Sequence, residues 1–338
     1  MRLYLLLILL PLTFTTLKAQ NTQLLEAYKD SIKHYSSEIT LKKYSDEQKQ
    51  IISDSIASYI VKLAKQEKSI DYDLSDLKIV RVLTSNDKHL RIFTWLIPLS
   101  NKTYKYKGIA QTYSTSKKVY RVHSFNDKGS KIGYLQSKTL NIKKWYGAYY
   151  YSIIETKRGK KKFYSLIGWR GISKTIQSKV IEVITLNSKA DITFGYNIFN
   201  IKGYSYFGKG NQSSRRLIFK YSSQSKMYLD YDFQTIVLTS KKKSKSKPKT
   251  NYKPGFNAQD GAKKAKVKVK TIKDNMIVLD RLIPTSPQML EFYDFYFPES
   301  NIMDALRWEN NKWKYYPDID ARNEKDGNNQ PRKIEYDL

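Results

Sequence analysis

Lysine is the side chain whose number and spacing say most about the chemistry open to this chain. Residues 241–273 contain thirteen lysines and one acidic residue, Asp260. The first part, 241–264, has few apolar residues and contains two prolines, so we expect a disordered Lys-rich loop between two strands. Its candidate polyanion-binding residues are Lys241, Lys242, Lys243, Lys245, Lys247 and Lys249.

The chain as a whole is also strongly basic. Its 61 basic and 31 acidic residues give a formal net charge of +30. A charge of this size attracts polyanions, and the expected partners are an anionic glycan or lipopolysaccharide, with nucleic acid bound only non-specifically. A second explanation stays open, because a composition rich in Lys, Tyr, Asn and Ile can also reflect biased codon usage.

Carboxylates offer a different chemistry. Glycoside hydrolysis uses two Asp or Glu side chains about 5 Å or about 6.5–9.5 Å apart. The sequence gives no distances, but it supplies candidates in the predicted strands and turns: Glu155, Glu182, Asp230, Asp232, Glu291 and Asp294. Whether the protein is an enzyme is therefore uncertain at this stage.

The remaining reactive residues give no recognisable motif. The chain has no cysteine, which excludes disulfides and thiolate chemistry. Its three histidines, His34, His89 and His123, lack metal-ligand spacing, so we expect no metal site and no cofactor. Residues 208–213 resemble a dinucleotide-binding loop without its third glycine, and we interpret them as an ordinary loop.

The first twenty residues indicate where the protein works. Arg2 is followed by an apolar run from Leu3 to Leu12 and then by small and polar residues up to Ala19. This pattern is typical of a secretory signal peptide over residues 1–19, with no transmembrane segment left after cleavage. We expect an exported protein that is periplasmic, associated with the outer membrane or secreted.

A helical segment and a series of strands, which differ in the spacing of their apolar residues, must position these residues. Residues 20–75 show apolar stripes at helical spacing, and Ser45 and Gln48 form a predicted capping box at the start of the second helix. From about residue 76 the period changes to two, which is typical of half-buried strands. Arg158-Gly159-Lys160 is a clear hairpin turn, with Gly159 at the position of positive φ.

Short strands continue almost to the end of the chain. The sequence predicts strands at Thr103–Lys107, Val119–His123, Tyr149–Lys157, Lys161–Trp169, Leu217–Tyr221, Met227–Tyr231, Thr235–Thr239, Ala265–Val269, Met276–Leu282, Phe292–Phe297, Ala305–Trp308 and Trp313–Tyr316. We therefore predict a mainly β domain over 76–322, built as an antiparallel sandwich or a barrel-like or propeller-like meander. A short N-terminal helical segment precedes it, and a polar tail, 323–338, follows.

Three blocks carry a resemblance. Leu90–Trp95, Tyr150–Trp169 and the run from Leu279 to Asn323, with its F-Y-F-P and D-A-L-R-W steps, resemble an uncharacterised family of exported bacterial all-β proteins. The resemblance implies one all-β unit and assigns no activity, ligand or site. The leading hypothesis is an exported binding or accessory protein with a strongly cationic surface. The alternative is a hydrolase of a glycan or envelope polymer that uses a carboxylate pair.

Overall fold

The fold consists of two helices followed by many strands. The computed structural model describes residues 22–207, 214–241 and 267–319, and these form two α-helices and fourteen β-strands. The helices are α1 (22–38) and α2 (Asp46–Ala64). The strands are β1 (Arg81–Thr84), β2 (Leu90–Pro98), β3 (Tyr104–Ser114), β4 (Val119–Phe125), β5 (Tyr149–Arg158), β6 (Lys161–Gly171), β7 (Ile176–Leu186), β8 (Ile192–Phe194), β9 (Phe199–Asn200), β10 (Leu217–Ser222), β11 (Leu229–Lys241), β12 (Val267–Pro284), β13 (Tyr296–Glu309) and β14 (Lys312–Ile319).

The strands are arranged in three sheets. The first sheet has the order β1-β2-β3-β4, the middle sheet the order β10-β7-β6-β5 with β8 beside β7, and the third sheet the order β11-β12-β13-β14-β9. Pairing is antiparallel except between β14 and β9. Each sheet has open edges over the described strands, so the mainly β prediction is confirmed and these strands form no closed barrel.

The layers are stacked because alternate residues of the strands face opposite ways. On β2, Phe93 and Trp95 pack against the two helices, while Leu90 and Ile92 pack against the middle sheet. On the other side of the middle sheet, residues such as Phe163 meet the third sheet. The order of layers is therefore helices, first sheet, middle sheet and third sheet. A strand covered on both faces must be apolar on both, as β2 is.

The predicted helix signals are present in the structure. The Ser45 hydroxyl accepts a hydrogen bond from the Gln48 amide, and the Gln48 side chain accepts one from the Ser45 amide, which completes the capping box. Ile56, Ile60 and Leu63 are fully buried against the first sheet. The apolar stripe that predicted the helices is therefore the surface through which they pack against the first sheet.

The hairpin prediction is confirmed, and the strand predictions need four corrections. The strands predicted at 265–269 and 276–282 are both part of one strand, β12, over the described residues. Gly159 has φ +58° between β5 and β6, as expected. The two strands predicted over 227–239 form one strand, β11, because its polar residues lie on an edge strand, where water satisfies them. The strand predicted at 292–297 is wrong in its first half, since residues Tyr293–Phe295 form a 3₁₀ turn. Finally, 305–308 is part of the longer strand β13.

Several sequence predictions concern residues outside the described ranges. They are the signal peptide 1–19, the loop at 208–213, residues 242–264 of the Lys-rich loop and the polar tail 323–338. Neither described helix is long and apolar enough to cross a lipid bilayer.

Candidate functional site

The most distinctive surface of the described chain is the connection between β4 and β5, residues 126–148. It contains three 3₁₀ turns, Gly129–Lys131, Leu135–Ser137 and Ile142–Lys144. Between residues 128 and 144 it carries five lysines and no acidic residue. Its pairing with a strand is limited to one bridge, between Leu140 and Phe194 on β8, so side chains from elsewhere in the fold must hold the rest of it in place.

The two ends of the connection are held together by Arg170 on β6. One guanidinium nitrogen donates to the Asp127 carboxylate at 3.0 Å and to the carbonyl oxygens of Tyr146 and Gly147 at 2.7 Å each. Asp127 also accepts a hydrogen bond from the Gly129 amide at 2.9 Å. Because Arg170 is 9% exposed, this contact is shielded from water, so it fixes where the connection begins and ends.

Glycine is required at one step of this arrangement. A Cβ on Gly129 would lie 2.0 Å from the carbonyl oxygen of Tyr146, far inside van der Waals contact. Gly133, four residues later in the same connection, has open space around it. The close approach of backbone to backbone at Gly129 is therefore specific to the anchored end.

The middle of the connection is held by a buried ion pair. Arg216 on the segment before β10 and Glu182 on β7 are fully buried, with 2.8 Å between Nε and Oε2. A second guanidinium nitrogen of Arg216, Nη1, donates hydrogen bonds to the carbonyl oxygens of Leu135 and Lys138, the latter at 2.8 Å. Burial raises the pKa of Glu182, and the charge of Arg216 opposes that shift. Through this ion pair, the connection is attached to the middle sheet.

The anchored connection encloses a cavity of about 410 Å³. We call it the lysine pocket, after the residues that surround it: Lys128, Lys131, Lys138, Lys143 and Lys144. The remaining wall is formed by Ile132, Gly133, Thr139 and Leu140. Lys128 is half-buried and the other four lysines are exposed, so their ammonium groups can reach a ligand at the mouth.

The charge of the lysine pocket is uncompensated. Over the described part of the chain, no carboxylate lies within 4.0 Å of any of these five ammonium groups. The nearest acidic residue in sequence, Asp127, is already paired with Arg170. Five like charges around one concave surface create a positive potential that attracts anions and is weakened by salt. The chemistry open to the pocket is the binding of carboxylate, sulfate or phosphate groups.

The lysines predicted from sequence lie elsewhere. Lys241 is the last residue of β11, paired with Val267 on β12. The other five predicted positions, Lys242, Lys243, Lys245, Lys247 and Lys249, fall outside the described residues. The lysine pocket was missed, although five lysines without an acidic residue over 128–144 are a visible sequence signal.

The predicted carboxylates occupy four separate places. Glu182 is in the buried ion pair, and Glu155 on β5 accepts hydrogen bonds from the backbone amides of Asn86 and Asp87. On β11, Asp230 and Asp232 accept from the amides of the residues that follow them, at 2.8 Å. The last two, Glu291 and Asp294, lie in the connection between β12 and β13.

The histidines are also separate. His34 lies on α1 and His89 stacks on Tyr113 with ring centroids 5.2 Å apart. His123 is buried on β4, where its Nε2 lies 2.9 Å from the Thr112 hydroxyl, and burial lowers its pKa. In the described ranges, no group of three or more His, Asp or Glu side chains could hold a metal ion.

Comparison of the chain with known protein families, with curated proteins and with solved structures found no match. The family resemblance drawn from the sequence therefore stays a prediction, and the functional argument rests on the geometry of the site.

Proposed function

We propose that this protein is an exported, non-enzymatic binding protein that holds an anionic group of an envelope glycan or lipopolysaccharide in the lysine pocket. The single observation that carries the proposal is the set of five lysines around one anchored cavity, with no carboxylate within ion-pair distance among the described residues. The predicted signal peptide supports the compartment in which such polymers are found.

The anchoring favours a binding site over a random cluster of charge. A flexible lysine segment would lose conformational entropy when it bound an anion. Here Arg170 and Arg216 already fix the backbone on which the lysines stand, through carbonyl contacts of 2.7–2.8 Å. The pocket is therefore partly preorganised, which increases affinity without adding contacts.

The polymer is favoured over a single small ion for a physical reason. Exposed ammonium groups each contribute only about 1 kcal/mol near an anionic surface. A polymer with closely spaced phosphates or carboxylates engages several of them at once. Phosphate and uronate groups share this chemistry, and the experiment below distinguishes them.

The hydrolase alternative has no observation in its favour. Glu182, the most deeply buried of its candidate carboxylates, is engaged by Arg216. Asp230 and Asp232 on β11 each accept a hydrogen bond from the backbone amide that follows them. It stays a prediction from the sequence.

The test compares two sets of charge-removing substitutions in the full mature chain. The pocket variant changes Lys131, Lys138, Lys143 and Lys144 to Gln. The control variant makes the same change at Lys42, Lys65, Lys68 and Lys78, which are exposed on and around the helical layer. Both lose four charges, so they differ only in where the charge is removed.

Binding is measured by isothermal titration calorimetry against lipopolysaccharide and against polygalacturonate, at two salt concentrations. We expect the pocket variant to bind at least about tenfold more weakly, with a flatter dependence on salt, and the control variant to stay within about threefold of wild type. Preference for one polymer identifies phosphate or carboxylate as the ligand group. Equal losses in the two variants would show that only net charge matters and would refute the proposal.

A further inference from the structure

A second cavity, of about 270 Å³, lies at the opposite end of β4 from the lysine pocket. It is bounded by the start of β2, the end of β3, the β5–β6 hairpin and the connection between β7 and β8. We call it the histidine pocket. Its walls include His89, Tyr113, Lys160, Tyr164, Asn187 and Ser188. This size is near the lower end of ligand sites, about 300–1,000 Å³, and suits one small ring.

Asp87 organises one wall of the histidine pocket. Its carboxylate accepts hydrogen bonds from the Ser85 hydroxyl at 2.7 Å, from Lys162 at 2.6 Å and from the Tyr164 hydroxyl at 3.0 Å. These donors lower the pKa of Asp87 to about 2, although burial opposes the shift. The same carboxylate lies 3.6 Å from Nδ1 of His89. Asp87 therefore stays ionised and faces one side of the imidazole ring.

The opposite side of the ring is available to a ligand. His89 stacks on Tyr113, with 25° between the ring planes, so its orientation is constrained. Nε2 of His89 and the Tyr113 hydroxyl have no hydrogen-bond partner among the described residues. Lys160, at the tip of the hairpin, likewise has no carboxylate within 4.0 Å in these ranges. An aromatic wall, one ring nitrogen, one hydroxyl and one ammonium group thus remain open.

We infer that the histidine pocket binds the carboxylate or phosphate of an acidic sugar, with the Lys160 ammonium group holding the anion and the His89–Tyr113 wall bounding the sugar. Tyrosine and histidine rings pack well against the apolar faces of sugars. The inference goes beyond the proposed function, because none of these residues belongs to the lysine pocket.

The charge of the histidine pocket favours an anion. The Asp87 charge is offset by Lys162, with 2.6 Å between Nζ and Oδ2. Lys160 and Lys161, which also line the pocket, therefore leave it with a positive charge.

The test uses the full mature protein and two probes, glucuronate and glucose 1-phosphate. Affinity is measured by calorimetry, and the ring signals of the three histidines are followed by NMR. We expect a probe-dependent change in the ring signal of His89 and no change in that of His34, which lies on α1. His89→Gln removes one ring of the wall and should weaken binding about tenfold, whereas His34→Gln should leave it unchanged.

Two further variants separate this site from the lysine pocket. Lys160→Gln should weaken the binding of the probes about tenfold, and the four-lysine pocket variant should bind them as wild type does. If only the glucuronate arm succeeds, the ligand group is a carboxylate, and if only the phosphate arm succeeds, it is a phosphate. Absence of binding by both probes, or wild-type affinity in both His89→Gln and Lys160→Gln, would overturn the inference whatever the lysine pocket binds.

Discussion

The buried ion pair of Arg216 and Glu182 affects both the stability of the protein and the position of the lysine pocket. Arg216→Ala leaves the fully buried Glu182 carboxylate without its partner, so we expect a loss of about 3–5 kcal/mol in the free energy of unfolding. The double variant Glu182→Leu with Arg216→Met removes both charges and should recover most of that stability. Urea denaturation measures both changes.

The same double variant separates stability from binding. It still lacks the hydrogen bonds to the carbonyl oxygens of Leu135 and Lys138, so the connection that carries the lysines is no longer held. We expect its affinity for lipopolysaccharide to stay well below wild type although it is folded. Wild-type affinity in the double variant would show that Arg216 does not position the pocket.

Lys179 provides a prediction about pH. It is 8% exposed between the middle and third sheets, and its ammonium group donates to the Tyr151 hydroxyl at 3.1 Å. Burial lowers its pKa to about 8, and Asp230 and Asp280 oppose the shift. In the unfolded chain the amine keeps its ordinary pKa of about 10.4. Between about pH 8 and 10 the unfolded state therefore binds a proton that the folded state lacks, so stability rises with pH.

Substituting Lys179→Met removes this dependence. Each pKa unit corresponds to about 1.4 kcal/mol, so the variant should gain up to about 3 kcal/mol below pH 8, with a progressively smaller gain as the pH rises. Thermal unfolding at about pH 6, 8 and 9.5 tests the difference from wild type. A constant difference across these pH values would contradict the assignment of the low pKa to Lys179.

The β4–β5 connection depends on close approaches at two glycines, Gly129 and Gly147. Gly129→Ala places a methyl group against the carbonyl oxygen of Tyr146, and we expect a loss of about 1–3 kcal/mol together with weaker polyanion binding. Gly133→Ala is the matched control for stability, because its methyl group meets nothing within 4 Å. Melting temperatures of both variants test this effect, and calorimetry on Gly129→Ala tests binding. Equal melting temperatures of the two alanine variants would contradict the anchoring role of Gly129.

The same elements show what the sequence can and cannot predict. Alternation of apolar and polar residues located β3 and β5, and the glycine at 159 located the turn after β5, since these signals are local. The lysine pocket depends on contacts such as that of Arg216 with Leu135, 81 positions away in sequence. Composition identified lysine as the important residue type but could not show which lysines the fold would gather.

In the molecule as a whole, side-chain contacts join the helical segment firmly to the first sheet, although the two differ in the spacing of their apolar residues. The Trp95 indole donates to the Ser53 hydroxyl at 2.9 Å, and Arg91 donates to the carbonyl oxygens of Ser69 and Ile70 at 2.7 Å each. These contacts, together with the shared apolar core, join α2 and the segment after it to β2.

Removal of residues 22–70 should therefore do more than delete helical signal. It uncovers the outer face of the first sheet, including Phe93, Trp95 and Ile109, and a contiguous exposed apolar surface promotes aggregation. We expect the shortened chain to aggregate or to unfold without cooperativity, as judged by light scattering and circular dichroism. A soluble, cooperatively folded β domain would contradict this coupling.

The long hairpin of the third sheet has a practical consequence. Register between β11 and β12 continues up to the pair Lys241 and Val267, so the two chain ends of the intervening segment meet at neighbouring positions. Closing a loop onto such a fixed pair costs free energy that grows only with the logarithm of its length. The segment between Lys241 and Val267 is therefore a suitable insertion point, and we expect a fluorescent domain or an affinity tag placed there to leave the three sheets and the two pockets unchanged.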